Sequence, residues 1–230
     1  MGEGIGNEKA LMPFISSANI ACGYHAGDEA TMQQVVELCL KFNVHIGAHP
    51  SFPDRKNFGR TEMLLSLSEV YAVVTDQLKL LHDIVIKMGT KMHHVKPHGA
   101  LYNMAAKDPA LAKTIAQAVK DFDCSLTYYG LSGSDMIIRA KAAGLQTANE
   151  VFADRSYQPD GSLTSRSLSY ALLTNVDDVV KQVSTFVKES KVITVTGEEI
   201  FVKADTICIH GDGKHAIDFA EAIYKKLYEV

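Results

Sequence analysis

The chain has no surplus of basic charge, no long apolar run, no paired-cysteine motif and no nucleotide-loop signature, and each absence removes a class of function. Lys and Arg total 23 against 27 Asp and Glu, a formal net charge of -4, and no predicted helix carries a cluster of cations. That balance excludes the electrostatic footprint of a nucleic-acid or anionic-membrane binder. No apolar stretch approaches the ~20 residues needed to cross a bilayer, and the start lacks the basic-then-apolar order of a secretory signal. The expectation is a soluble, cytoplasmic protein without a membrane partner. Four cysteines, Cys22, Cys39, Cys124 and Cys208, lie far apart with no CxxC pair, which excludes a zinc knuckle or thioredoxin-like motif and leaves reduced, mostly buried thiols. Neither GxxxxGK[ST] nor HExxH occurs, and the opening GEGIG has no strand before it in this chain, so it resembles a phosphate loop only superficially.

What is present is enough for one sizeable core: 230 residues, 47% of them hydrophobic, read as a single domain over 1-230. A unit recurs along the chain, in which a short β-leaning apolar run meets a turn bearing glycine, histidine or acid and then an amphipathic helix. Seven such runs stand at 17-22, 44-48, 92-95, 125-129, 147-152, 192-195 and 206-209. Helices are expected at about 28-42, 68-88, from Pro109, over 135-143 and 175-189, and in a last stretch ending at Tyr228. Asp28, Ser66 or Ser68 suit helix starts, and Gly89 and Gly144 suit helix ends. Strand-helix alternation of this kind predicts an α/β fold with parallel strands, either a barrel or a doubly wound sheet.

In a parallel α/β barrel the loops after the strands share one face, so segments distant in sequence deliver side chains to a common site. The strand-end segments here are NIACGYHAGD, HIGAHPS, HHVKPHGALYN, NEVFADR and ICIHGD. Seven of nine histidines fall in them, His45 together with the site candidates His25, His49, His93, His94, His98 and His210. Taken alone, each is more often a hydrogen-bonded structural residue than a catalyst; five strand ends all bearing ionisable or amide side chains point to a site. Alternation puts His94, Lys96 and His98 on one strand face. Lys96 either pairs with a carboxylate or meets an anionic substrate. Glu150 and Asp154 align as a carboxylate pair able to divide acid and base roles, with Arg155 on the other face; alternatively Asp154 and Arg155 brace the next loop. A 2-His-1-carboxylate metal set could be drawn from His25, His49, His94, His98 and the carboxylates, although no spacing specifies it.

Seven ordered blocks, GEG at 2-4, LMPFISSANIACGYHAGD at 11-28, IGAHPSFPD at 46-54, FGR at 58-60, HVKPHGALYN at 94-103, EVFADRSY at 150-157 and ADTICIHGD at 204-212, resemble the LamB/YcsF (lactam-utilisation) family almost end to end. The resemblance implies a seven-stranded α/β-barrel-like fold similar to sugar deacetylases. It also implies ATP-dependent opening of 5-oxo-L-proline to L-glutamate, with ATP and Mg as co-substrate and two further subunits, B and C, as partners. Family site positions carried over are Glu3, Asn19, His25, His49, Lys96, His98, Glu150, Asp154 and Arg155, with Tyr102 as a further substrate-binding candidate. Within them Lys96, His98, Glu150, Asp154 and His25 are expected to be catalytic, and Glu3, Asn19, His49, Arg155 and Tyr102 to bind substrate; His25, His49 and His94 are the metal candidates. Family members begin with a strand ending in DLNxDxGEG, whereas this chain starts at Met1 directly before GEG. The barrel is therefore expected to lack its first strand and to expose an edge. Two other readings stay open: a metal-dependent deacetylase or amidohydrolase acting alone, and a non-catalytic subunit that binds 5-oxoproline. Homo-oligomerisation is also left open.

Overall fold

Apolar runs alternating with capped amphipathic segments fold, in a computed structural model that describes residues 1-229, into six parallel strands accompanied by helices. The chain divides into two units, Met1–Gly130 with Ser134–Thr147, and Leu131–Gly133 with the residues from Ala148 onward.

The first unit contains α1 (Glu8–Leu11), β1 (Ser17–Ala21), α2 (Glu29–Phe42), β2 (His45–His49), α3 (Leu67–Lys87), β3 (His94–Val95), α4 (Gly99–Ala105), α5 (Pro109–Phe122), β4 (Thr127–Leu131) up to Gly130, and α6 (Asp135–Ala143). Its strands run parallel in chain order, with Asn19 beside Gly47, Gly47 beside His94 and His94 beside Thr127. The helices start where side chains satisfy their free N–H groups. The Asp28 carboxylate accepts from Thr31 N, Ser66 and Glu69 form a reciprocal capping box, and Asp108 caps a helix whose first residue is Pro109. β3 is two residues long because Pro97 has no N–H to continue a ladder. The Gly47 register has a steric reason, since a Cβ there would lie 2.0 Å from His94 Nε2. The imidazole occupies the space that any side chain would need. On the side of β1 away from β2, Ala21 N–H donates to Met1 O (3.0 Å) and the Met1 ammonium donates to Asn19 O (2.8 Å).

The second unit contains β5 (Thr147–Phe152) from Ala148 on, α7 (Val176–Glu189), β6 (Lys191–Ile193), β7 (Glu199–Phe201), β8 (Thr206–Cys208) and α8 (Ala216–Tyr228). β5 and β8 are parallel, with Glu150 beside Thr206 and Phe152 beside Cys208, and α7 packs on α8.

The α/β class and the parallel strands agree with the expectation, and the placing of one run does not. The run at 192-195, expected as a seventh parallel strand, belongs instead to an antiparallel hairpin of β6 with β7. Thr194 N–H donates to Glu198 O at 2.8 Å, and Gly197 takes a left-handed φ of 86° that tightens the reversal. No seventh parallel strand occurs among the described residues. Among them, too, no helix is long and apolar enough to cross a membrane.

Candidate functional site

In the first unit the strand ends bring Glu3, His25, His49 and His98 together. His49 is the last residue of β2. His98 follows β3 and starts α4; it stays beside the β2 chain because Lys96 N–H donates to Ala48 O (2.9 Å) and His98 N–H to Pro50 O (2.8 Å). His25 lies in the loop after β1, closed by Gly23 N–H to Ala26 O (2.9 Å) and clamped by the Arg55 guanidinium, which donates to Gly23 O (2.8 Å) and Gly27 O (2.9 Å).

The four side chains are in close contact and mostly buried. The rings of His25 and His98 stack at 3.9 Å with a 7° interplanar angle, and His98 Nδ1 lies 2.9 Å from His49 Nε2. Glu3 Oε1 is 3.2 Å from His25 Nε2 and 4.0 Å from His98 Nδ1. The outer ring nitrogens meet main-chain carbonyls: His49 Nδ1 is 2.6 Å from Lys96 O and His98 Nε2 is 2.8 Å from Phe58 O. His25 Nδ1 is buried with no hydrogen-bond partner.

Electrostatics follow from burial. Burial, with the neighbouring His25 charge, lowers His98 to about 3, and burial with the His98 and Lys96 charges holds His49 well below 6.5. Both are neutral near pH 7. Burial raises Glu3, but the Met1 ammonium and the His25 hydrogen bond outweigh it and hold the carboxyl at about 2. Since His98 is itself neutral near pH 7, its charge adds nothing there. Burial pushes the Cys22 and Cys39 thiols up to about 12, so neither is a thiolate nucleophile.

The other predicted residues of this unit group differently. His94 is fully buried, its Nε2 lies 3.0 Å from Asn19 Oδ1, and its ring stacks on Tyr129 at 4.1 Å. Among the described residues the set within reach of one ion is thus Glu3, His49 and His98, rather than one containing His94. Lys96 Nζ lies over the Tyr102 ring at 5.7 Å, and both residues are buried.

In the second unit Asp154 meets His210, with Nδ1 at 2.9 and 3.0 Å from its two oxygens. Burial raises the Asp154 carboxyl, and the His210 charge and hydrogen bond prevail and lower it. Arg155 is buried and donates to Thr164 O and Ala171 O, bracing the following loop. Burial lowers its pKa to about 10, so the guanidinium stays charged. Glu150 is buried on β5, and Gln182 of α7 fixes the segment by donating to Phe152 O, Ala153 O and Arg155 O.

Sequence reasoning missed several positioning groups. Phe58 adopts a left-handed φ of 58°, uncommon for an aromatic residue, and so presents its carbonyl to His98; the FGR block was the available signal. Gln77 is fully buried, accepts from Ser51 N–H (3.0 Å) and donates to Ser51 O (2.8 Å), and so pins the chain after His49. A lone glutamine in an amphipathic helix gives no sign of this.

The pattern of the LamB/YcsF family matches residues 1-230. A protein from Tolumonas auensis, named as the A subunit of 5-oxoprolinase, is 52% identical over 98% of this chain and 90% of its own length. One of the same name from Shouchella clausii is 52% identical over 97% of this chain and 88% of its own. A crystal structure described as a lactam utilization protein from Thermus thermophilus superposes with a TM-score of 0.93 at 39% identity, covering 100% of this chain and 94% of that one. The chain therefore belongs to the LamB/YcsF family.

Proposed function

We propose that the chain acts as the A subunit of a 5-oxoprolinase, in the ATP-dependent hydrolytic opening of 5-oxo-L-proline to L-glutamate. Relatives half identical over nearly the whole chain carry that name. The observation that carries the reading is the buried histidine group beside an ionised Glu3, a set suited to moving protons at an amide.

A five-membered lactam is a stable amide, and its opening needs a driving force. ATP with Mg, as co-substrate, supplies it by phosphorylating the lactam oxygen. Water then adds to the activated carbon, the ring nitrogen takes a proton and leaves as the amine, and a second water releases phosphate from the acyl phosphate. Glu3 accepts the Nε2–H of His25 and leaves Nδ1, the unpartnered buried nitrogen, as a lone pair that takes a proton from the attacking water, with Glu3 steadying the imidazolium, and then gives it to the departing nitrogen. His98 has no such open nitrogen, since its Nε2 faces Phe58 O and its Nδ1 faces His49 Nε2. Lys96, with Tyr102, suits the substrate carboxylate or a phosphoryl oxygen. Asp154 or Glu150, the carboxylate pair aligned by sequence alternation, is our candidate for a further base, and Arg155 steadies the Asp154 loop. Two partners, the B and C subunits, complete the enzyme.

The test is glutamate formation from 5-oxoproline and ATP, with and without the two partner subunits. Glutamate formed only by the complete, ATP-supplied assembly supports the reading. No glutamate from that assembly sinks it, and so does ATP-independent cleavage of an acylated sugar or amide by this chain alone.

A further inference from the structure

We propose that Glu3, His49 and His98 form a binding site for one divalent first-row transition-metal ion, with zinc best matched to two imidazoles and a carboxylate. The inference deepens the proposed function and rests on it only for the reaction the ion would assist. The site itself stands on hydrogen-bond arithmetic.

A carbonyl oxygen can only accept. His49 therefore carries its proton on Nδ1, facing Lys96 O (2.6 Å), and His98 carries its proton on Nε2, facing Phe58 O (2.8 Å). The remaining nitrogens, His49 Nε2 and His98 Nδ1, are then both lone pairs, yet they face each other at 2.9 Å. Two buried acceptors at that distance need an electrophile between them.

A cation fits. Zn–N bonds of ~2.0–2.1 Å in tetrahedral geometry separate two ligand atoms by roughly 3.3–3.4 Å, so seating the ion needs the two rings to part by only a few tenths of an ångström from 2.9 Å. The carboxylate completes the set, with Glu3 Oε1 at 4.0 Å from His98 Nδ1 and all three ligand atoms within 4.8 Å of one another. Each imidazole already has the outer support expected of a metal ligand, its other N–H fixed by a main-chain carbonyl. A second observation points to the same place: His25, stacked on His98 and joined to Glu3, has a buried Nδ1 with no partner. The ion would supply Lewis-acid polarisation of an oxygen.

The experiment is calorimetric titration of chelator-stripped, full-length protein with Zn2+ and with Co2+, alongside the visible spectrum of the Co2+ form. We expect one ion per chain, imidazole nitrogens at ~2.0–2.1 Å by X-ray absorption, and affinity lower by on the order of 100-fold or more in Glu3→Gln and His98→Gln. His94→Gln, at a buried histidine outside the set, should bind as the wild type does. Circular dichroism checks that each variant is folded; if His98→Gln does not fold, Glu3→Gln and the wild-type absorption data decide. A folded wild type that takes up no ion, the outcome of a proton shared between the two rings, overturns the proposal. Unchanged uptake in both ligand variants overturns it equally. Stoichiometric zinc binding without glutamate formation in the assembled enzyme would sink the reaction and leave the site standing.

Discussion

His94 is fully buried, and its pKa is held well below 6.5 by burial first and then by the charges of His93, Lys96 and His45. An unfolded histidine titrates near about 6.5, so the unfolded chain binds the extra proton as pH falls. The stability His94 carries is complete above that pH and is lost progressively below it. Thermal melts at about pH 7.5 and about pH 5.5 should therefore show an acid-induced drop, at roughly 2–4 °C per kcal/mol for a chain of this size. His94→Gln should melt lower at the higher pH yet lose less on acidification; an undiminished pH slope would show that His94 is not a source of the acid sensitivity. At this scale the sequence was legible in residue type and not in partner. Alternation grouped His94, Lys96 and His98, but Pro97 ends β3 after Val95, and the chain beyond it turns His98 toward His49. The period-2 rule has no purchase on a residue already outside the strand.

Most helices were readable because their starts are chemical: Asp28, Ser66 and Asp108 cap α2, α3 and α5. α4 was not. It has seven residues, begins at a glycine and has no side-chain cap, so HGALYN reads as a loop. Strand partners were less legible still, because β6 has the composition of any short strand and only the turn at 194-198 makes it half of a hairpin. The element that most directly positions the site is α3, through Gln77. Gln77→Leu leaves the buried main-chain N–H and C=O of Ser51 without that partner and should cost about 1–3 kcal/mol in chemical denaturation. His49 should shift with them, so kcat for glutamate release in the assembled enzyme should fall as well. Stability and turnover both within error of wild type would show that Gln77 does not hold the strand end in place.

For the whole molecule, the fold class was legible because a 230-residue alternation of strands and capped helices has few parallel solutions, and the family because seven blocks keep their order. The Glu3–His25–His49–His98 group was only partly legible. Its members were named one by one, while the facing lone pairs, the Phe58 carbonyl and the orphaned His25 nitrogen depend on ångström-scale placement that composition and spacing do not encode. The account stands on that group performing the chemistry. The most direct test is the rate of glutamate release by the assembled enzyme built with His25→Gln in place of wild type, the variant first shown to fold and to bind its partners. A loss of about 10²–10⁴-fold in kcat is predicted for removing a proton-transfer group, and turnover near the wild-type rate would contradict the account.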